Sequence, residues 1–120
     1  MKNWSITQIA EADGRVAQQT AGHGEYAMVR LRIEPNKEER IVFESNINTI
    51  PKEFIKAVET GVRAAAMKVL DTDYPMSNIK VTLIAARHHE LDSSVVAFER
   101  AGTLAFEEAV NDAKSILLEK

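Results

Sequence analysis

The sequence predicts an α+β fold, a two-layer sandwich in which two helices cover one face of a mixed, four-stranded sheet. Three observations carry that prediction. Apolar and polar residues alternate through much of the first half of this 120-residue chain, the period of a strand with one buried face. The period then lengthens to three and four residues in two later stretches. A further alternating stretch lies between those two, so the order runs strands, helix, strand, helix. With 45% apolar residues, residues 1–120 form one domain able to bury a core without a staple.

Each element has its own signal. Trp4, Ile6 and Gln8 alternate with their neighbours at the start of the chain. Val29, Leu31 and Ile33 alternate with Arg30, Arg32 and Glu34 in the cleanest strand pattern. Pro35 and Asn36 supply a turn, after which Ile41, Phe43 and Ser45 share a face, so residues 28–46 are expected to form an antiparallel hairpin with a charged tip. Pro51 suits a first helical turn, where its missing N–H costs nothing. Phe54, Val58, Val62, Ala65 and Val69 then recur at helical spacing. Residues 71–75 end that helix, and Ile79, Val81 and Leu83 alternate with Lys80 and Thr82 in a strand ending near Ala86. Asp92, Ser93 and Ser94 announce a second helix by offering oxygens to its free N–H groups. Phe98, Ala101, Ala105 and Ala109 mark its buried face. Gly102 costs about 1 kcal/mol relative to alanine in mid-helix, which close approach of the backbone to a neighbour explains.

Composition excludes several function classes. Fifteen basic and eighteen acidic residues give a net charge of −3, so any nucleic-acid contact must be local rather than a broad basic face. Arg30 and Arg32 share one face of their strand, where a solvated sheet surface is the plainer reading. The absence of cysteine excludes disulfides and thiolate metal sites. No apolar run reaches the length of a membrane span, and the start lacks a signal peptide's hydrophobic stretch. A soluble cytoplasmic protein with no membrane partner is the expectation.

Two loops could carry chemistry. In residues 19–27, QTAGHGEYA, Gly22 and Gly24 flank His23, and glycine permits a tight turn or a close backbone approach. An ordinary hairpin turn accounts for this pattern. No GxxxxGK[ST] motif occurs and no helix follows the glycines, so no nucleotide is expected. In residues 86–94, ARHHELDSS, a strand leads into a helix whose N-terminus favours anions. Arg87, His88 and His89 add donors there for phosphate or base edges. Metal binding through His88, His89, Glu90 and Asp92, and catalysis by a histidine and a carboxylate, are the competing readings. Neighbouring residues at a strand end point to opposite sides, which places His88 and His89 poorly for one ion. Ser93 and Ser94 are explained as helix caps, and no nucleophile stands out. No cofactor and no enzymatic activity are expected.

The succession IPKEFIKAVETGVRAAA, DYPMSNIKVTL and RHHELDSSVVAFERAGTLAFEEAV, spanning residues 50–110, resembles domain IV of translation elongation factor G. Ile50, Pro51, Lys52, Glu53, Phe54 and Ile55 fit that family's IPKEYI; Tyr74 and Pro75 fit its YP; His89, Asp92, Ser93 and Ser94 fit its YHDVDSS, followed by Ala97 and Phe98. Residues 14–35 resemble the strand-loop-strand that carries the family's GGRGQYGH loop. The resemblance implies a ribosomal-protein-like fold with a left-handed crossover, although the general rule is right-handed. It also implies that both loops form a tip entering the ribosomal A site, on the small subunit. The RNA-binding tip would then comprise Gly22, His23, Gly24, Arg87, His88, His89, Asp92 and Ser93, with the ribosome or its rRNA as partner.

The departures from the family are specific. His23 stands where the family has arginine, Glu25 where it has glutamine, Met28 where it has histidine and Val95 where it has glutamate. Asn48, Thr49 and Ile50 replace a stretch that often holds paired glycines. Weaker RNA affinity than the parent domain's is expected. The chain is expected to be a non-catalytic module without the GTPase domains, either free-standing or a fragment, with Met1 and the altered tip favouring the former. A repurposed protein–protein interaction or assembly module is the alternative. Monomer and homodimer are both open, since an exposed sheet edge can pair with a second copy.

Overall fold

The structure is a computed structural model that describes residues 2–20, 23–68, 75–89 and 93–119. The elements run β1 (Lys2–Ile6), β2 (Ala10–Thr20), β3 (His23–Pro35), β4 (Ile41–Ser45), α1 (Lys52–Ala66), β5 (Ile79–Arg87), α2 (Val95–Ala113) and β6 (Ser115–Glu119). Four strands form a mixed sheet in the order β2-β3-β5-β4, and β1 pairs with β6 in a small antiparallel sheet. Val69, which the helical spacing included in α1, lies outside the described residues, as do Gly22 and Asp92.

The expected hairpin of β3 with β4 does not form. β3 pairs antiparallel with β2 and with β5, and β4 lies parallel to β5, from Ile41 opposite Ile79 to Ser45 opposite Leu83. β5 therefore sits between the two strands that the local turn signal joined. Its burial explains the choice: Ile79, Val81 and Leu83 are fully buried, and Thr82 on the other face is only 5% exposed. Thr82 is shielded on the open face by its cross-strand neighbours Arg32 and Glu44, as befits a strand with a partner on each edge. Asn78 opens β5 in a left-handed conformation, with φ of 59°, which asparagine tolerates. Its carbonyl accepts from Asn36 N at 2.9 Å, and its amide donates to Lys37 O at 3.4 Å. These bonds tie the β3–β4 connection to the start of β5 and carry it past that strand.

Both helices cover one face of the sheet. Val29, Leu31 and Ile33 from β3 point into a core closed by Val58 and Val62 of α1 and by Phe98 and Phe106 of α2, all fully buried. Pro51 occupies the N-cap of α1, one position before the first turn. Glycines let α2 approach both the sheet and α1 closely. A Cβ on Gly14 of β2 would lie 1.9 Å from Ala101 O, and one on Gly102 of α2 would lie 2.7 Å from Val58 O. Gly102 is thus the close approach that its mid-helix position predicts.

β6 has no counterpart in the sequence reading. α2 ends at Ala113, and Lys114 turns the chain at φ of 56°, so that Ile116 and Leu118 continue in a strand opposite Ser5 and Asn3. Trp4 also bridges to Met76, accepting from Ser77 N at 2.8 Å and donating to Pro75 O at 3.0 Å. The molecule is elongated, 50 × 27 × 21 Å.

Candidate functional site

The end of the molecule that carries the two loops is built by strand direction. β3 runs antiparallel to β5, so the start of β3 and the end of β5 lie together, and α2 begins there after the intervening loop. The β2–β3 pairing continues to Thr20 opposite His23, five residues beyond Met28 opposite Arg87. At about 3.4 Å per residue the hairpin outreaches the end of β5 by about 17 Å. Of the residues expected at the tip, His23 and Gly24 are described through their backbone, in register with Thr20 and Gln19. Arg87, His88, His89 and Ser93 gather around the end of β5, the first three exposed and Ser93 half-buried.

Ser93 departs from its expected role. Ser94 is the N-cap of α2, its hydroxyl accepting from Ala97 N at 3.1 Å. The Ser93 hydroxyl instead donates to Tyr26 O at 2.7 Å and accepts from His89 N at 2.7 Å, while Ser93 N donates to His89 O at 3.0 Å. One side chain closes the loop on itself and fastens it to β3. The rings of His89 and Tyr26 meet edge to face, with centroids 6.0 Å apart. This level is three residues short of His23 along β3, about 10 Å of strand.

His88 faces the helical layer. Its ring lies 6.3 Å from that of Phe54, which stacks at 4.7 Å on fully buried Phe98. The loop is therefore anchored at two points, through Ser93 to the sheet and through His88 to the core. Tyr26 and Phe54 were absent from the predicted site, because both act through neighbours distant in sequence. Glu25, on the helix side of β3, is held by Arg100 of α2 at 3.1 Å, so the acidic residue in the hairpin does not face solvent unopposed.

The helix-free face of the sheet is charged. Arg30 binds Asp13 at 2.8 Å and Glu11 at 3.2 Å, Arg32 binds Glu11 at 3.3 Å, and Lys80 lies 3.4 Å from Glu44. The hydrogen bond to Asp13, then that to Glu11, raises the Arg30 guanidinium further above its already high ordinary pKa. The plainer reading of Arg30 and Arg32, a solvated sheet surface, is the one observed, and the structure adds that both are paired with carboxylates. Among the described residues no helix is long and apolar enough to cross a membrane.

The fold is one that known proteins share. The family model for elongation factor G, domain IV, matches residues 3–114. Elongation factor G of Thermotoga neapolitana and that of Petrotoga mobilis are each 40% identical to this chain over 120 aligned positions, covering 96% of it. The chain spans 17% of the length of those curated relatives. A crystal structure of a protein from Thermus thermophilus superposes with a TM-score of 0.88 at 35% identity, covering 98% of this chain and 18% of the other.

Proposed function

This chain belongs to the family of elongation factor G domain IV, and from that premise we propose that it is a cytoplasmic, non-catalytic module that contacts the ribosome through its two tip loops, at the A site of the small subunit. Domain IV is not the part of the factor that hydrolyses GTP, so the module's own contribution is binding. The observation that carries the reading is the family match over residues 3–114, within which the His88–His89 loop and the β2–β3 hairpin emerge at one end. Imidazole and guanidinium groups donate to RNA backbone and stack on bases, and the Ser93 latch gives the His89 loop a defined position from which to do so. With histidine in place of the family's arginine at position 23 and Glu25 paired to Arg100, affinity rests on fewer fixed charges and falls with salt.

Co-sedimentation of the protein with small subunits at low and at moderate salt tests this. Binding that weakens with salt and drops in a His23→Ala/His89→Ala variant is the expected result. Failure to pellet at either salt would sink the proposal and favour the protein-interaction alternative.

A further inference from the structure

We propose that the helix-free face of the sheet just behind the tip, centred on Arg15, Met28 and Arg87 with Tyr26 beside them, is a binding strip for single-stranded RNA. The proposal rests on the reading of the tip as RNA-contacting and extends it from the loops onto the sheet. Arg15 pairs with Met28 across β2 and β3, and Met28 pairs with Arg87 across β3 and β5. Residues directly opposite one another project from the same face, so these three side chains form one row. Their neighbours Val16, Ala27 and Val29 are buried toward the helices, which puts the row on the open face. One row closer to the turn stands Tyr26, opposite Ala17 and edge-on to His89.

Charge sets this strip apart from the rest of the face. Toward the base, Arg30, Arg32 and Lys80 all meet carboxylates. Arg15 and Arg87 are exposed, and neither meets a carboxylate or another hydrogen-bond partner for its side chain among the described residues. A guanidinium without a carboxylate keeps its fork of donors available for phosphate. Two such groups, two strands apart and hence about 10 Å from each other at the backbone, concentrate positive potential on a chain whose net charge is −3. The face, with Met28 between two guanidinium groups and an aromatic ring one row beyond, suits splayed single-stranded bases and their backbone; a duplex hides its bases from such a surface.

The test is an anisotropy titration of a labelled single-stranded RNA dodecamer with the 120-residue chain, over a series of salt concentrations. It compares the parent with Arg15→Gln/Arg87→Gln and with Arg30→Gln/Arg32→Gln, after circular dichroism has shown that each variant keeps its fold. Loss of two phosphate contacts should weaken binding about tenfold or more and flatten the slope of log affinity against log salt by about 1.4, at about 0.7 per contact. The Arg30/Arg32 variant should change affinity by less than about twofold, because those cations are already paired. Tyr26→Leu should lower affinity and leave the slope alone, as loss of stacking does. An unchanged slope for Arg15→Gln/Arg87→Gln, or an equal loss in the Arg30/Arg32 variant, would overturn the strip. So would a duplex of the same sequence binding as tightly as the single strand. Small-subunit pelleting run in parallel separates the two readings. If His89→Ala abolishes pelleting and Arg15→Gln alone, which lies outside the tip, leaves the dodecamer affinity and slope like the parent's, the tip stands and the strip falls. If the parent does not pellet but the dodecamer slope shifts as expected, the tip falls and the strip stands.

Discussion

Ser93 and Ser94 are adjacent and chemically identical, yet they do different work. Ser94 caps α2, and Ser94→Ala should cost about 1 kcal/mol in a urea titration, as loss of an N-cap does. Ser93 joins His89 N to Tyr26 O, and its replacement by alanine leaves two backbone groups without that bridge. Ser93→Ala should therefore cost about 1–2 kcal/mol and also release the loop, seen as faster amide exchange at His89 and weaker pelleting with small subunits; Ser94→Ala should leave both near the parent's. The sequence shows why a serine before a helix is a cap, because that partner is three residues away. It could not show a partner 67 residues away on β3. Arg30 makes a different residue-scale prediction. Its pKa is raised in the folded state by Asp13 and then Glu11, so the stability it contributes is present through the neutral range, where both partners are charged, and its loss on the alkaline side waits for strongly alkaline pH. The difference in urea midpoint between the parent and Arg30→Gln should be the same at about pH 6 and about pH 8; a difference that grew between them would contradict the pairing.

At the scale of elements, the helix–sheet and helix–helix crossings depend on glycines that leave no room for a methyl group. Gly14→Ala puts a Cβ 1.9 Å from Ala101 O and 2.7 Å from Ala105 N, both backbone atoms of a packed helix. Gly102→Ala meets Val58 O at 2.7 Å and regains helix propensity worth up to about 1 kcal/mol. Urea denaturation should show a loss of about 3 kcal/mol or more for Gly14→Ala and about 1–2 kcal/mol for Gly102→Ala. Phe98→Ala, at the stack with Phe54, should cost about 3–5 kcal/mol. The helices and β3 were legible because their periods are regular and their buried faces continuous. Partner choice among strands was not. The turn at Pro35 and Asn36 has the local signature of a hairpin, but β5, with Ile79, Val81 and Leu83 fully buried, takes the place between β3 and β4, and no local pattern encodes that order. β6 has no local signal, because α2 stops at Lys114 without the glycine that commonly ends a helix.

For the whole molecule, an acidic chain gathers at one end those arginines of its open sheet face that meet no carboxylate among the described residues. The sheet pairs its charges toward the base and leaves Arg15 and Arg87 near the hairpin, while the latch holds His89 at the same end and His88 meets Phe54 on the helix side. The members of this end that carry a family motif, His89 and Ser93 among them, are legible in the sequence. Arg15, Tyr26 and Phe54 belong to it only through register and packing, which no local pattern encodes. The central claim, that this end contacts the ribosomal A site, is tested most directly by chemical probing of small-subunit rRNA with and without the protein. The account predicts protection confined to the decoding centre, lost at raised salt and in His23→Ala/His89→Ala. Protection in other regions of that rRNA, none at all at low salt, or protection unchanged in that variant would contradict it.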